Sequence, residues 1–222
     1  MAEAAVIFDV DGVLLELTRA EEDAFFAPFE RRYGLKDLSR DWNSYAIRND
    51  EDIVREILRN NGLPDRELED IIADYLAVLG ERLRNGVIET VTIPGAPQLL
   101  ERLGGSMQMG FATANLRRAA ELRLRHAGLW EHVSAHGFGA EGGGHKREIL
   151  ARAVAATGLP RRRIVYVGDN LNDVAAGLEN GVHFIAFSTD AGRLEELEQA
   201  GATTLSNNHL DTSRLISHLL AG

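Results

Sequence analysis

The sequence predicts an α/β fold: a doubly wound parallel sheet with a small helical domain inserted after its first strand. Three observations predict it. Residues 4–9 (AAVIFD) form an unbroken apolar run closed by acid and glycine, which is how a strand buried on both faces reads. Beyond residue 92, strand-like and helix-like segments alternate to the end of the chain, the rhythm of parallel βαβ units. Between the two, residues 19–85 are polar and helical, without a convincing strand. The division follows: residues 1–15 and 93–222 form one α/β core, and residues 16–92 form a helical insert.

Each element has its own signal. AEEDAFFAPFERRYG carries Phe25, Phe26, Phe29 and Tyr33 at roughly helical spacing. NDEDIVREILRNNG opens at Asn49, a good N-cap, and closes at Gly62. In LPDRELEDIIADYLAVLGERL, Pro64 stands near the helix start, and Ile71, Ile72, Tyr75, Leu76 and Leu79 share a face. Pro94-Gly95 introduces a helix through Leu103, and MQMGFAT (107–113) reads as a strand. NLRRAAELRLRHAGL is then a helix stopped by Gly128, VSAHGFG a strand, KREILARAVAATG a helix stopped by Gly158, and RIVYVGD (163–169) a strand. NDVAAGLENG, HFIAFST, RLEELEQAG and DTSRLISHLL complete the series as helix, strand, helix and helix. GAEGGGH (139–145) reads as a flexible loop; its glycines do not follow the G-x-G-x-x-G dinucleotide pattern.

Composition narrows the function. With 222 residues, 45% hydrophobic and 26% charged, the chain has material for a real core. A net charge of −10 repels nucleic acid and anionic membrane, so neither is an expected partner. The absence of cysteine rules out disulfides, thiolate metal sites and a Cys nucleophile. MAEAAVIFDVDG has no basic leader, and no stretch approaches the ~18 apolar residues of a membrane span, so the cytoplasm is the expected location. Lysine occurs only at 36 and 146 in an Arg-rich chain, which draws attention to both.

In open α/β sheets, ligands sit beyond the carboxyl ends of the strands. The first strand delivers Asp9-Val10-Asp11-Gly12 there, the second Thr113, Ala114 and Asn115, and RIVYVGD delivers Asp169, Asn170 and, a turn later, Asp173. The helix after VSAHGFG starts near Lys146-Arg147. Four acids converging would repel one another unless a hard divalent cation, Mg²⁺ by its preference for carboxylate and carbonyl oxygens, sat among them. A phosphate ester would bridge to that metal, with Thr113, Lys146 and backbone N–H groups near Ala114 and Asn115 holding its other oxygens. Asp9 at a strand end suits attack on phosphorus, and Asp11, two residues on and on the same side, suits proton transfer to the leaving oxygen. Gly12 lets the chain turn away without a side chain in the site.

FDVDGVL at 8–14, the strand ending in Thr113, Lys146 at a helix start and GDNLND at 168–173 resemble, in order, the four motifs of the haloacid dehalogenase superfamily. The helical insert resembles the C1 cap of its phosphoglycolate-phosphatase-like and β-phosphoglucomutase-like branch. The resemblance implies an Mg²⁺-dependent phosphomonoester phosphatase acting on a small phosphorylated metabolite, as a monomer or homodimer. It implies Asp9 as nucleophile and Asp11 as general acid/base. Asp9, the Asp11 carbonyl and Asp169 would ligate the metal, with Asp173 reaching it through water or a hydrogen bond. Three departures stand out: Arg147 follows Lys146 where proline is usual, Ala114 separates Thr113 from Asn115, and Glu16-Leu17-Thr18 follows the first motif. Lys146 and Arg147 therefore compete for the phosphate-holding role, and the assignment falls on Lys146.

Trp42, Tyr45, Arg48, Asn49 and Asp50 form a polar-aromatic segment of the insert. Packing and capping explain most of it; the functional reading makes Arg48 a specificity residue reaching into the cleft. A phosphomutase of the same architecture is the main alternative, and a non-catalytic binding module a second. A dehalogenase is disfavoured because such members lack a second acid in the first motif. Phosphonate cleavage would need a cap lysine, and Lys36 lies in what reads as an exposed turn.

Overall fold

The structure, a computed structural model, describes residues 3–221. Its centre is a sheet of β1 (Ala5–Phe8), β2 (Gln108–Ala112), β3 (His136–Phe138), β4 (Ile164–Gly168), β5 (His183–Phe187) and β6 (Leu205–Ser206). The strands lie in the order β3-β2-β1-β4-β5-β6, and each pairing is parallel. Phe8 pairs with Phe111 on one side and Val167 on the other. That register matters, because it ends the three central strands at the same level and sends Asp9, Thr113 and Asp169 out of one edge.

Alternation along β1 divides the core between the two faces. Val6 and Phe8 join Val165, Val167, Ile185 and Phe187 against α4 (Ala96–Leu103), α5 (Arg117–His126), α6 (Trp130–Val133) and α10 (His209–Ala221). Ala5 and Ile7 face the other way with Tyr166 and Ala186, under α7 (Lys146–Thr157), α8 (Leu171–Asn180) and α9 (Ala191–Gln199).

The insert is a bundle of α1 (Arg19–Tyr33), α2 (Asp50–Asn60) and α3 (Leu68–Arg84). Its own apolar cluster holds Phe25, Phe29, Ile53, Ile57, Ile71 and Leu79, and also takes Ala119 from the sheet-covering helix α5 and Leu116 just before it. Each such fully buried side chain contributes about 1.5–3 kcal/mol of transfer free energy. α1 begins at a capping box: the Thr18 backbone N–H donates to Glu21 Oε2 at 2.7 Å, and the Glu21 N–H to Thr18 Oγ1 at 3.4 Å. α2 begins where Asn49 Oδ1 accepts from the Asp52 N–H at 2.9 Å. The two segments joining the insert to the core lie side by side and antiparallel, tied by Glu16 N–H to Val91 O at 2.8 Å and Ile93 N–H to Leu14 O at 3.0 Å.

Three details differ from the sequence reading. VSAHGFG yields a strand of only three residues, because Val133 belongs to the α6 turn, packed beneath the sheet. β6 has two residues, too short to show as a pattern. The 139–145 segment is tied to the insert: the Gly142 N–H donates to Glu51 Oε2 at 3.0 Å, the Gly144 N–H to Asp52 Oδ2 at 2.9 Å, and Asn49 Nδ2 to Gly144 O at 2.7 Å. Glycine at these positions serves φ values of +85° and +98° at Gly142 and Gly144, which bring both N–H groups to α2. Among the described residues, no helix is long and apolar enough to cross a membrane.

Candidate active site

The strand ends deliver what the register dictates. Asp9 follows β1, still bonded to the sheet through its N–H to Val167 O at 2.8 Å. Its Oδ1 accepts from the Val10 N–H at 2.7 Å and from Lys146 Nζ at 2.8 Å. Lys146, the first residue of α7, also reaches Asp173 Oδ1 at 3.0 Å. Arg147 points elsewhere: it is half exposed and pairs with Glu148 and Glu179 on the surface. Between the two cations, only Lys146 enters the cluster.

Asp173, in the first turn of α8, is fully engaged. Tyr166 Oη donates to its Oδ1 at 2.5 Å, and the Asp169 and Asn170 N–H groups donate to Oδ2 at 3.2 and 3.1 Å. Carboxylate oxygens of Asp9, Asp169 and Asp173 lie within 4.8 Å of one another. Asp11 is not among them; its carboxylate turns toward the insert and accepts from Arg123 Nη2 at 2.6 Å.

One ammonium cannot neutralise two buried acids and a half-buried third, and the ionisation of the cluster reflects it. Burial, then repulsion from Asp173, pushes Asp169 up to about 7 against the pull of Lys146. Burial also holds Asp9 well above the usual carboxylate range, Lys146 opposing while Asp173 and Asp169 add to the rise. For Lys146 burial acts downward, but Asp173 and Asp9 outweigh it and keep the ammonium charged. An oxygen-rich cluster with unneutralised negative charge suits a hard divalent cation.

Gly12 adopts φ +75°, and a Cβ there would overlap the Asp169 carboxylate, so the position admits no side chain. Thr113 is buried, and its Oγ1 accepts from the Asn115 N–H at 3.2 Å. Ala114 turns its carbonyl to the insert, accepting from the Asp50 N–H at 2.9 Å. Asn115 Oδ1 accepts from Arg123 Nη1 at 3.1 Å. The expected anion-binding N–H groups are therefore partly spent. Asn115 N–H is held by Thr113, and α5 starts only at Arg117, with the preceding Leu116 N–H donated to Asp50 Oδ2 at 2.8 Å.

Above this edge lies a cleft of about 260 Å³ between core and insert. Leu17, Phe25, Trp42, Ile53 and Tyr75 supply apolar wall, while the strand-end acids, Thr113 and Lys146 form the floor. Arg48 borders it, half-buried, with Nη1 3.3 Å from Asn43 Oδ1. Lys36 is exposed, paired with Glu30, and is not among the residues lining this cleft.

Sequence reasoning missed Arg123, Glu21 and Tyr166, and it assigned Asp50 to packing and capping. Arg123 is one of four arginines in RRAAELRLRH, and its residue type alone does not set it apart. Yet Ala119, Ala120, Arg123 and Leu124 recur at helical spacing on the buried face of α5, and that periodicity was a usable signal. Asp50 contributes a further buried acid to the cleft: burial, partly offset by its bond from the Leu116 N–H, raises it to about 7.

Comparison with known proteins agrees with this fold. The family profile described as haloacid dehalogenase-like hydrolase matches residues 3–181. Tyrosine-protein kinase PtkA of Mycobacterium tuberculosis is 25% identical over 212 residues, covering 91% of this chain and 68% of its own. The structure of CbbY from Rhodobacter sphaeroides in complex with phosphate superposes with a TM-score of 0.74 at 21% identity, covering 94% of this chain and 95% of that one. A predicted phosphatase from Clostridium acetobutylicum gives 0.71 at 19% identity, over 98% and 100%.

Proposed function

The chain belongs to the haloacid dehalogenase-like hydrolases, and from that premise we propose that it is a phosphatase that hydrolyses the phosphomonoester of a small metabolite, with Asp9 as the nucleophile. The observation that carries the reading is the convergence of Asp9, Asp169 and Asp173 around Lys146 at the carboxyl edge of the sheet. CbbY, similar in fold, was solved with phosphate, and other similar structures are described as phosphatases.

In this mechanism Asp9 attacks phosphorus in line, forming an aspartyl-phosphate as the bond to the leaving oxygen breaks. Asp11 gives that oxygen a proton, then takes one from the water that attacks the intermediate, releasing inorganic phosphate. Lys146 and Thr113 hold equatorial oxygens of the phosphoryl group, and Gly12, Ala114 and Asn115 line the space around it. Asp173 keeps Lys146 in place while Tyr166 fixes Asp173. Asp9, Asp169 and the Asp11 carbonyl would hold Mg²⁺, with Asp173 contributing through water or its hydrogen bonds. The ion would draw off phosphoryl charge and orient the ester. Residues 16–92 act as a cap, hinging near 15–18 and 88–93, that keeps bulk water out during the first step, with Arg48 on the substrate side.

The test is phosphate release from p-nitrophenyl phosphate, with Mg²⁺ and with EDTA, for the wild type and for Asp9→Asn. Metal-dependent turnover that is absent in Asp9→Asn supports the reading; turnover that survives in Asp9→Asn removes Asp9 from its role. A second reading keeps the phosphoryl chemistry and changes the acceptor, as in a phosphomutase. The likeness to a protein named as a tyrosine kinase favours including alcohol and phenol acceptors in the same assay.

A further inference from the structure

We propose that Arg123 is the positioning residue through which the insert sets the carboxylate of Asp11, so that proton transfer is switched on only when the cleft is closed. The proposal rests on the reading of Asp11 as general acid/base.

Arg123 is among the largest fully buried side chains of the protein, its side chain 2% exposed. A helix that only needed to fill that position would carry leucine, since burying a guanidinium is costly unless every donor is matched. Here four of the five N–H groups are matched, and Asp11, Glu21 and Asn115 among the partners border the cleft. Nη2 donates to Asp11 Oδ1 at 2.6 Å and to the Glu16 carbonyl at 3.1 Å, Nε to Glu21 Oε1 at 2.6 Å, and Nη1 to Asn115 Oδ1 at 3.1 Å. One planar fork thus joins the loop after β1, the connector, the first helix of the insert and the loop after β2.

Asp11 depends on this fork. Among the described residues, Arg123 is the one side chain that hydrogen-bonds its carboxylate. Glu21 is equally committed, since its other oxygen accepts from the Thr18 N–H and hydroxyl at 2.7 and 2.8 Å and so caps α1. Glu21 belongs to α1, which travels when the insert swings away, while Glu16 lies in the connector at the hinge. Opening therefore withdraws the carboxylate acceptor of Nε and frees the guanidinium to follow it. Closure brings it back and locks Arg123, and through it Asp11, facing the leaving oxygen. The step that depends on it is balanced: the Asp9–phosphorus bond forms as the ester bond breaks, and the Asp11 proton goes to the departing alcohol.

The experiment compares leaving-group release in a single turnover from p-nitrophenyl phosphate, whose phenolate leaves without a proton, and from an alkyl phosphate, whose alkoxide does not. Wild type, Asp11→Asn, Arg123→Met, Arg123→Lys, Glu21→Gln and the double variant Asp11→Asn/Arg123→Met are measured. Arg123→Met is expected to lose about a hundredfold or more on the alkyl ester and less than about tenfold on the aryl ester, the range of a lost general acid. KM should hold, the double variant should be no worse than Asp11→Asn, and Arg123→Lys should recover part of the loss. Glu21→Gln keeps Arg123 and its packing, so it decides the matter if Arg123→Met does not fold; a selective loss on the alkyl ester is expected. Equal losses on both esters, additive losses in the double variant, or a Glu21→Gln enzyme with wild-type selectivity would overturn the proposal alone. A wild type inert toward both esters would overturn the phosphatase reading and this proposal with it.

Discussion

The ammonium of Lys146 lies 2.8 Å from Oδ1 of Asp9, so the residue that opens α7 is locked to the residue that closes β1. The same ammonium holds Asp173, and all three side chains are buried. Lys146→Met should leave two buried acids without their cation. We expect a loss of about 3–5 kcal/mol in metal-free protein, as when one partner of a buried pair is removed. Urea denaturation in EDTA checks this, and phosphate release should fall by about a hundredfold or more if Lys146 also holds the phosphoryl group.

Asp169 is expected to cost stability and enable metal binding. In metal-free protein its neighbours Asp173 and Asp9 repel it, so Asp169→Asn should melt higher than wild type in EDTA. Millimolar Mg²⁺ should raise the wild-type melting temperature, by an amount equivalent to about 2.7 kcal/mol when the ion is at a hundred times its Kd. The variant should show little of that gain. A thermal-shift series with and without Mg²⁺ reads both effects.

Much of this was legible in the sequence, and the reasons differ by element. Asp9, Asp11 and Asp169 could be placed because they end apolar runs, and a parallel register brings such ends together. Lys146 stood out against an Arg-rich background. What stayed hidden depends on side chains meeting across long distances in sequence. Arg123 reaches Asp11 over 112 residues and Glu21 over 102. Asp50 meets Leu116 over 66. The 139–145 segment reads as loose because glycine patterns carry no record of the acids on α2 that its N–H groups will find.

Asp50 should give the protein a pH-dependent stability. Its pKa is raised from 3.8 to about 7, chiefly by burial. A raised carboxyl favours the folded state at low pH, and that contribution fades as pH rises through 4 toward 7. Asp50→Asn should remove the effect. The stability of the variant relative to wild type should therefore increase with pH over that interval, by at most about 1.4 kcal/mol per unit. Denaturation midpoints at pH 5, 6, 7 and 8 test the sign, and a difference independent of pH would refute it.

Gly12→Ala should abolish activity even where the protein still folds. The position needs φ +75°, and the added methyl would overlap the Asp169 carboxylate. The backbone cost alone is about 1–2 kcal/mol. Displacing Asp169 should add loss of the Mg²⁺-induced thermal shift, which separates damage to the cluster from general destabilisation.

The position of β1 in the middle of the sheet also sets the order in which the molecule can be assembled on the ribosome. Its partners are residues 108–112 on one side and 164–168 on the other, so the strand at 5–8 is the first of the six to be made and gains its second neighbour only with the fourth. At about 5–20 residues per second, the 160 residues between Phe8 and Gly168 take about 8–32 s to be made. Until residues 108–112 are made the strand has no neighbour to hydrogen-bond, and until 164–168 follow one of its edges stays open. The helical bundle, whose cluster draws chiefly on residues 24–88, can condense well before then. It would come to rest beside a strand still waiting for its sheet.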